Sequence, residues 1–164
     1  MSDIAIPTLP VHESLAAEIK AVRDFVALLE AERDALINNA IPELERLSAE
    51  KTLHAQVLEG LAKTRKQQFE INGVLISSAA GHPLENHGKL PEVVFQSIAQ
   101  AWTSLLELAR QANDSNTVNG QLIESRTQQN RHLIKILRAS RSPLVYDASG
   151  QPQAFSGGRL NDKA

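Results

Sequence analysis

"NTVNGQLIESRTQQNRHLIKILRAS", Asn116 to Ser140, is the stretch whose reading decides the fold. It places an Asn-Gly pair and a run of amides inside what otherwise reads as an amphipathic helix. Gly120 costs a helix interior about 1 kcal/mol relative to alanine. Yet the residues Val94, Ile98, Ala101, Leu105, Leu108, Ala112, Ser115, Asn119, Leu122, Arg126, Gln129, Leu133 and Ile136 follow one another at alternating steps of four and three. That spacing keeps one face of a helix in phase from Pro91 to Ser140, even where the face turns polar. The spacing predicts a third helix over about 91–140, either continuous or bent at Asn119-Gly120.

Two shorter helical segments precede it. "VHESLAAEIKAVRDFVALLEAERDALI" carries Leu15, Ile19, Val22, Val26, Leu29 and Leu36 on one stripe, interrupted by Arg33 and widened by Phe25 and Leu28. This predicts a helix over about 11–38 that touches two neighbours. Asn38 and Asn39 mark its stop. Pro42 then suits a first helical turn, where a missing N–H costs nothing, and Glu43 and Glu45 favour the same end of the dipole. The second helix, about 42–72, has a mixed stripe: Leu44, Leu47, Lys51, His54, Leu58, Leu61 and Arg65, with Leu53 and Val57 alongside. The short link makes these two helices an antiparallel hairpin. "NGVLISSAAGHPLENHGKL" reads as a helix end and a long loop, with "GVLI" closing the helix or packing beneath the loop. From residue 142 onward, prolines, glycines and scattered apolar residues read as a mobile tail, 142–164, that still holds Tyr146 and Phe155.

Composition agrees with this all-α architecture, a helical bundle over 1–141 with an elongated third helix. Of 164 residues, 42% are hydrophobic but only 4% aromatic, which favours aliphatic helix seams over a strand-rich core. With no cysteine, disulfides, thiol nucleophiles and thiolate metal sites are excluded together. No apolar run approaches the roughly 20 residues needed to span a bilayer, and the N-terminus lacks the form of a signal peptide. A cytoplasmic protein without membrane insertion is expected. The formal net charge of -2 gives no bulk attraction to nucleic acid.

Length adds a functional argument. At 1.5 Å per residue the first two helices reach about 40 Å and an unbroken third about 70 Å. Running antiparallel to the second helix, the third is expected to pack through Val94 to Ala112 and then to outrun the hairpin. Leu122, Ile123, Leu133, Ile134, Ile136 and Leu137 are then left for a fold-back or for another chain. The amides around Gly120 fit two readings: a register-setting polar layer or solvated stretch, and a groove floor where glycine admits a partner's backbone.

Catalytic chemistry finds no seat. His82, Glu85 and His87 in "HPLENH" lack the helical spacing of zinc motifs, so no metal and no cofactor are expected. His54 and His132 read as ordinary seam or surface residues, and Trp102 as core. No phosphate-binding glycine motif or nucleophile elbow occurs. Arg126, Arg131, Lys135, Arg138 and Arg141 follow without an intervening acid. They read first as a solvated flank near a helix C-terminus, next as a patch for an acidic protein, and least as a nucleic-acid footprint, since aromatics for base stacking are missing.

"NTVNGQLI", followed by "QQN", "LRAS", "PLVYDASGQ" and "SGGR", resembles the FlgN family of flagellar export chaperones, as does "LLEAERDALINNAIPELERLSAEKTLHAQVLEGL" near the N-terminus. The resemblance implies a small all-helical cytoplasmic chaperone, not an enzyme. Such a chaperone binds the C-terminal helical regions of the hook-filament junction proteins FlgK and FlgL and delivers them to the export gate protein FlhA. It implies a client-binding region on the third helix, for which Asn116, Asn119, Gly120, Leu122, Ile123, Leu133 and Leu137 are the candidates. It also implies an export-gate contact at Tyr146. A monomer or weak homodimer is expected. A coiled-coil scaffold or homo-oligomeric adaptor would use the same stripe to pair with itself.

Overall fold

The computed structural model describes residues 10–77, 84–86, 90–140, 145–146 and 152–153. Three helices dominate: α1 Pro10–Asn38, α2 Ile41–Asn72 and α3 Glu92–Ser140. The expected all-α class holds, and α3 runs through Asn119 and Gly120 as one 49-residue helix. The phase kept by the sequence therefore belongs to one element, and the helix is not interrupted at Asn119-Gly120.

The two hairpin helices end by the same device. Asn39, at φ 54°, takes the left-handed conformation that stops α1. Its N–H donates to Leu36 O at 3.4 Å, and the N–H of Ala40 donates to Ala35 O at 3.0 Å. Gly73, at φ 68°, does the same for α2, with Gly73 N–H to Glu70 O at 3.2 Å and Val74 N–H to Phe69 O at 2.9 Å. This paired 6→1 and 5→2 bonding satisfies carbonyls that a helix end would otherwise orphan. Val74 and Phe69 are both buried, which supplies the apolar contact that accompanies such a cap.

Residues 1–123 form one compact unit, and residues 124–164 a second. In the first, α1 and α2 are antiparallel: Glu18 meets Arg65, and Glu32 meets Lys51. α3 runs parallel to α1, because His12 hydrogen-bonds Ser97 at 2.7 Å while Arg33 reaches Asn119 at 3.3 Å. The core joins Leu15, Val22, Val26 and Leu29 of α1 to Phe69 of α2 and to Ile98, Trp102 and Leu105 of α3. Leu15, Leu29 and Ile98 are fully buried. At about 1.5–3 kcal/mol for each large aliphatic side chain withdrawn from water, this row is the main source of cohesion. A second cluster, Leu28, Ala35 and Leu47, closes the hairpin near its turn.

Two departures from the sequence reading concern short strands. "GVLI" neither ends the helix entirely nor lies in a loop: β1, Leu75–Ile76, pairs antiparallel with β2, Leu84–Asn86. In the tail, β3, Val145–Tyr146, pairs with β4, Pro152–Gln153. Strands of two or three residues are too short to leave an alternating pattern, and both side chains of β1 are exposed, so no periodicity announces them. The rest of the segment expected to be a mobile tail lies outside the described residues.

Candidate interaction surface

The polar residues that interrupt the apolar stripes meet one another. Glu32, buried on α1, accepts hydrogen bonds from Lys51 Nζ of α2 at 2.9 and 3.1 Å. The same Glu32 accepts from Asn119 Nδ2 of α3 at 2.8 Å, and that amide also donates to Leu29 O at 2.8 Å. Arg33 Nε donates to Asn119 Oδ1 at 3.3 Å, completing a layer to which all three helices contribute. Among the described residues no buried side-chain nitrogen or oxygen lacks a partner. A layer satisfied in this way fixes register, because sliding α3 by one step would strand the amide and the carboxylate away from water.

A second layer lies further down the bundle. Arg65 Nε donates to Glu18 Oε2 at 2.6 Å, while its guanidinium lies 4.7 Å from the Trp102 ring centre. Phe69 meets Trp102 edge to face at 5.8 Å. Planar charge over an indole face is favourable, and the carboxylate offsets the cost of burying the guanidinium. Trp102 is core, as expected, with the added role of seating this charge. By contrast, Arg46 pairs with Glu43 and Glu50 on the surface of α2, and Arg46 holds the Glu43 carboxyl below its usual range through a hydrogen bond. Such exposed pairs add little stability.

Asn119 has intramolecular partners. Offered by the sequence as a client contact, it is 0% exposed and wholly engaged by α1, so it belongs to the register-setting layer. The physical reason is reach: α3 stays packed on α1 beyond Ala112, through Asn119, because Arg33 and Glu32 extend the polar face of α1 to meet it. Of the other candidates, Asn116 and Gly120 are exposed, and Leu122 is half-buried. A Cβ added at Gly120 meets nothing within 4 Å, so none of the described elements makes a close approach there.

The second unit presents a different surface. No described residue from Glu124 to Ala139 is buried. Leu133 is 56% exposed and Leu137 61%, with Ile134 and Ile136 exposed beside them. Ile123, at the end of the first unit, is exposed as well. Arg131, Lys135 and Arg138 stand in the same stretch, also exposed, while Arg141 lies outside the described residues. Tyr146 falls in β3, and its side chain is outside the described residues. His82 and His87 also lie outside them, as does the side chain of Glu85; among the described residues no cluster of three or more acids and histidines could hold a metal. His132 is exposed, and His54 is half-buried beside Phe25, with ring centres 6.4 Å apart.

The sequence flagged Arg33, Lys51 and Arg65 as interruptions and missed that Glu18 and Glu32 answer them. Both acids sit one position from the apolar stripe, where a carboxylate ordinarily reads as solvated, so no local signal could have paired them. What could be read was the phase of α3 and its aliphatic residues past Gly120. The family model described as "FlgN protein" matches residues 10–154, a span that takes in all three helices and Tyr146. The chain belongs to the FlgN family. Two relatives, each named flagella synthesis protein FlgN, come from Salmonella typhimurium (strain LT2) and Salmonella typhi. Each is 24% identical over 132 residues, which is 79% of this chain and 81% of the relative. No solved structure matches this FlgN-family chain. No helix among its described residues is long and apolar enough to cross a membrane.

Proposed function

We propose that this FlgN-family chain is a cytoplasmic export chaperone of flagellar assembly. In this reading it holds the C-terminal helical regions of the junction proteins FlgK and FlgL and delivers them to the export gate protein FlhA. The observation that carries the reading is the exposed aliphatic row Leu133, Ile134, Ile136 and Leu137, set on a helix within the family-matched span. An amphipathic client segment laid along such a row buries its own apolar face, which also keeps it from associating prematurely. Ordering of a flexible client end then accompanies binding. Asn116, Gly120, Leu122 and Ile123 extend the proposed contact towards the bundle, and Asn119 acts from beneath by fixing the register of the helix.

The direct test is co-expression with C-terminal segments of the two junction proteins, followed by co-purification. Leu133→Asp with Leu137→Asp abolishes capture while helicity by circular dichroism stays near that of the parent. Retained capture in that double variant sinks the assignment. Leu122 is left unchanged because it is half-buried and its replacement would disturb packing. Tyr146→Ala keeps client capture and weakens docking to the gate protein; equal loss of both would place Tyr146 in client binding instead.

A further inference from the structure

Gln129 and Asn130 interrupt the exposed aliphatic row of α3. Gln129 stands four residues before Leu133 and seven before Ile136, and Asn130 three before Leu133 and seven before Leu137. Those are the steps that bring side chains onto one helix face, so both amides share the face of the leucines. Both are exposed, and neither makes a side-chain hydrogen bond among the described residues. Gln128, which falls off that face, is engaged instead: its Nε2 donates to Glu124 Oε1 at 2.9 Å.

The bundle shows what becomes of polar residues on an apolar row in this chain. Arg33, Lys51, Arg65 and Asn119 each interrupt such a row, and each meets a partner on a neighbouring helix. Gln129 and Asn130 hold the equivalent place on a row where no described residue is buried. A carboxamide covered by an apolar surface loses its water without gaining a bond, so a client with no partner for it binds at a cost. An uninterrupted leucine row, by contrast, accepts any amphipathic helix and fixes no register.

We propose that Gln129 and Asn130 set the register and the specificity of client binding, by hydrogen-bonding an amide or hydroxyl side chain that breaks the apolar face of the client helix. This rests on the chaperone reading, to which it adds the chemistry that the client must present. Neutral groups suit the site because each carboxamide offers both a donor and an acceptor, and no charge has to leave water. Sliding such a client by one turn sets the two amides, and the client's own polar group, against aliphatic carbons. A client helix that is apolar along its whole face leaves both amides unpaired and binds less tightly.

Titration calorimetry with the purified C-terminal segments of the junction proteins tests the assignment on two double variants. Gln129→Ala with Asn130→Ala removes the amides, and Gln129→Leu with Asn130→Leu also extends the leucine row. Both bind the segments about tenfold more weakly than the parent, with helicity by circular dichroism unchanged. For the leucine variant the sign decides, because added apolar area by itself would tighten binding. A helical peptide with an uninterrupted leucine face reports the converse: the leucine variant binds it more tightly than the parent does. Equal or tighter binding of the junction segments by either variant overturns the proposal. A parent chain that binds neither segment overturns the chaperone reading and this inference together, whereas a parent that binds beside variants that bind equally well removes the register assignment alone.

Discussion

Asn119 and Arg65 show how a polar residue on an apolar stripe takes its meaning from what faces it. Asn119 donates to both Glu32 and Leu29 O, so Asn119→Leu removes one partner of a buried carboxylate and of the half-buried Arg33 guanidinium. Leaving such groups under-satisfied costs about 1–3 kcal/mol, which urea unfolding will read as a lower midpoint. Arg65→Met is more severe, because Glu18 is buried and loses its counter-charge. Breaking a buried pair from one side costs about 3–5 kcal/mol, while replacing both members with apolar residues is often neutral. Unfolding of Arg65→Met beside Glu18→Leu/Arg65→Met checks this: the double variant recovers most of the lost stability. An equal loss in both would mean that Arg65 acts through its packing on Trp102 and not through its charge.

The elements raise a question about glycine that opposite substitutions answer. Gly73 ends α2 in a left-handed conformation that an L-side chain adopts only at a cost, so Gly73→Ala destabilises the chain by about 1 kcal/mol. Gly120 sits inside α3 with open space around the missing Cβ, so Gly120→Ala stabilises by up to about 1 kcal/mol. Thermal unfolding of the two variants moves the midpoint in opposite directions. A loss of client affinity in Gly120→Ala, despite the gain in stability, identifies Gly120 as a place where a partner's backbone approaches. At this scale the helices were legible in advance because 3.6-residue periodicity is repeated many times along each of them. The ladders β1–β2 and β3–β4 were not, because two or three residues hold no period and their pairing partners lie several residues away in sequence.

Across the whole molecule the apolar residues fall into two settings. Residues 10–123 hold the buried apolar core together with paired charges, alongside exposed apolar residues such as Leu53 and Val57, whereas from Glu124 to Ala139 no described residue is buried. Under the proposed function, stability and client binding therefore separate by position. Leu133→Asp with Leu137→Asp changes unfolding free energy by no more than about 0.5 kcal/mol, as expected for surface positions, while removing client capture. Calorimetry on the variant beside the parent tests the separation; a drop of several degrees would show that these leucines support the fold.

The sequence by itself determined the helices, their order, the antiparallel hairpin and the family, because hydrophobic periodicity, turn residues and motif strings are local properties written along one chain. It also marked the aliphatic residues beyond Gly120 as more than the bundle needs. Only the tertiary structure decided how far α3 packs, since that depends on Glu32, Lys51 and Asn119, distant in sequence, meeting within hydrogen-bond reach. The same holds for Arg65, whose cost of burial is met jointly by a carboxylate from α1 and an indole from α3. A polar residue on a stripe looks alike in sequence whether it faces water, a client or a buried counter-charge, and the difference lies in desolvation, which only the packed neighbours set.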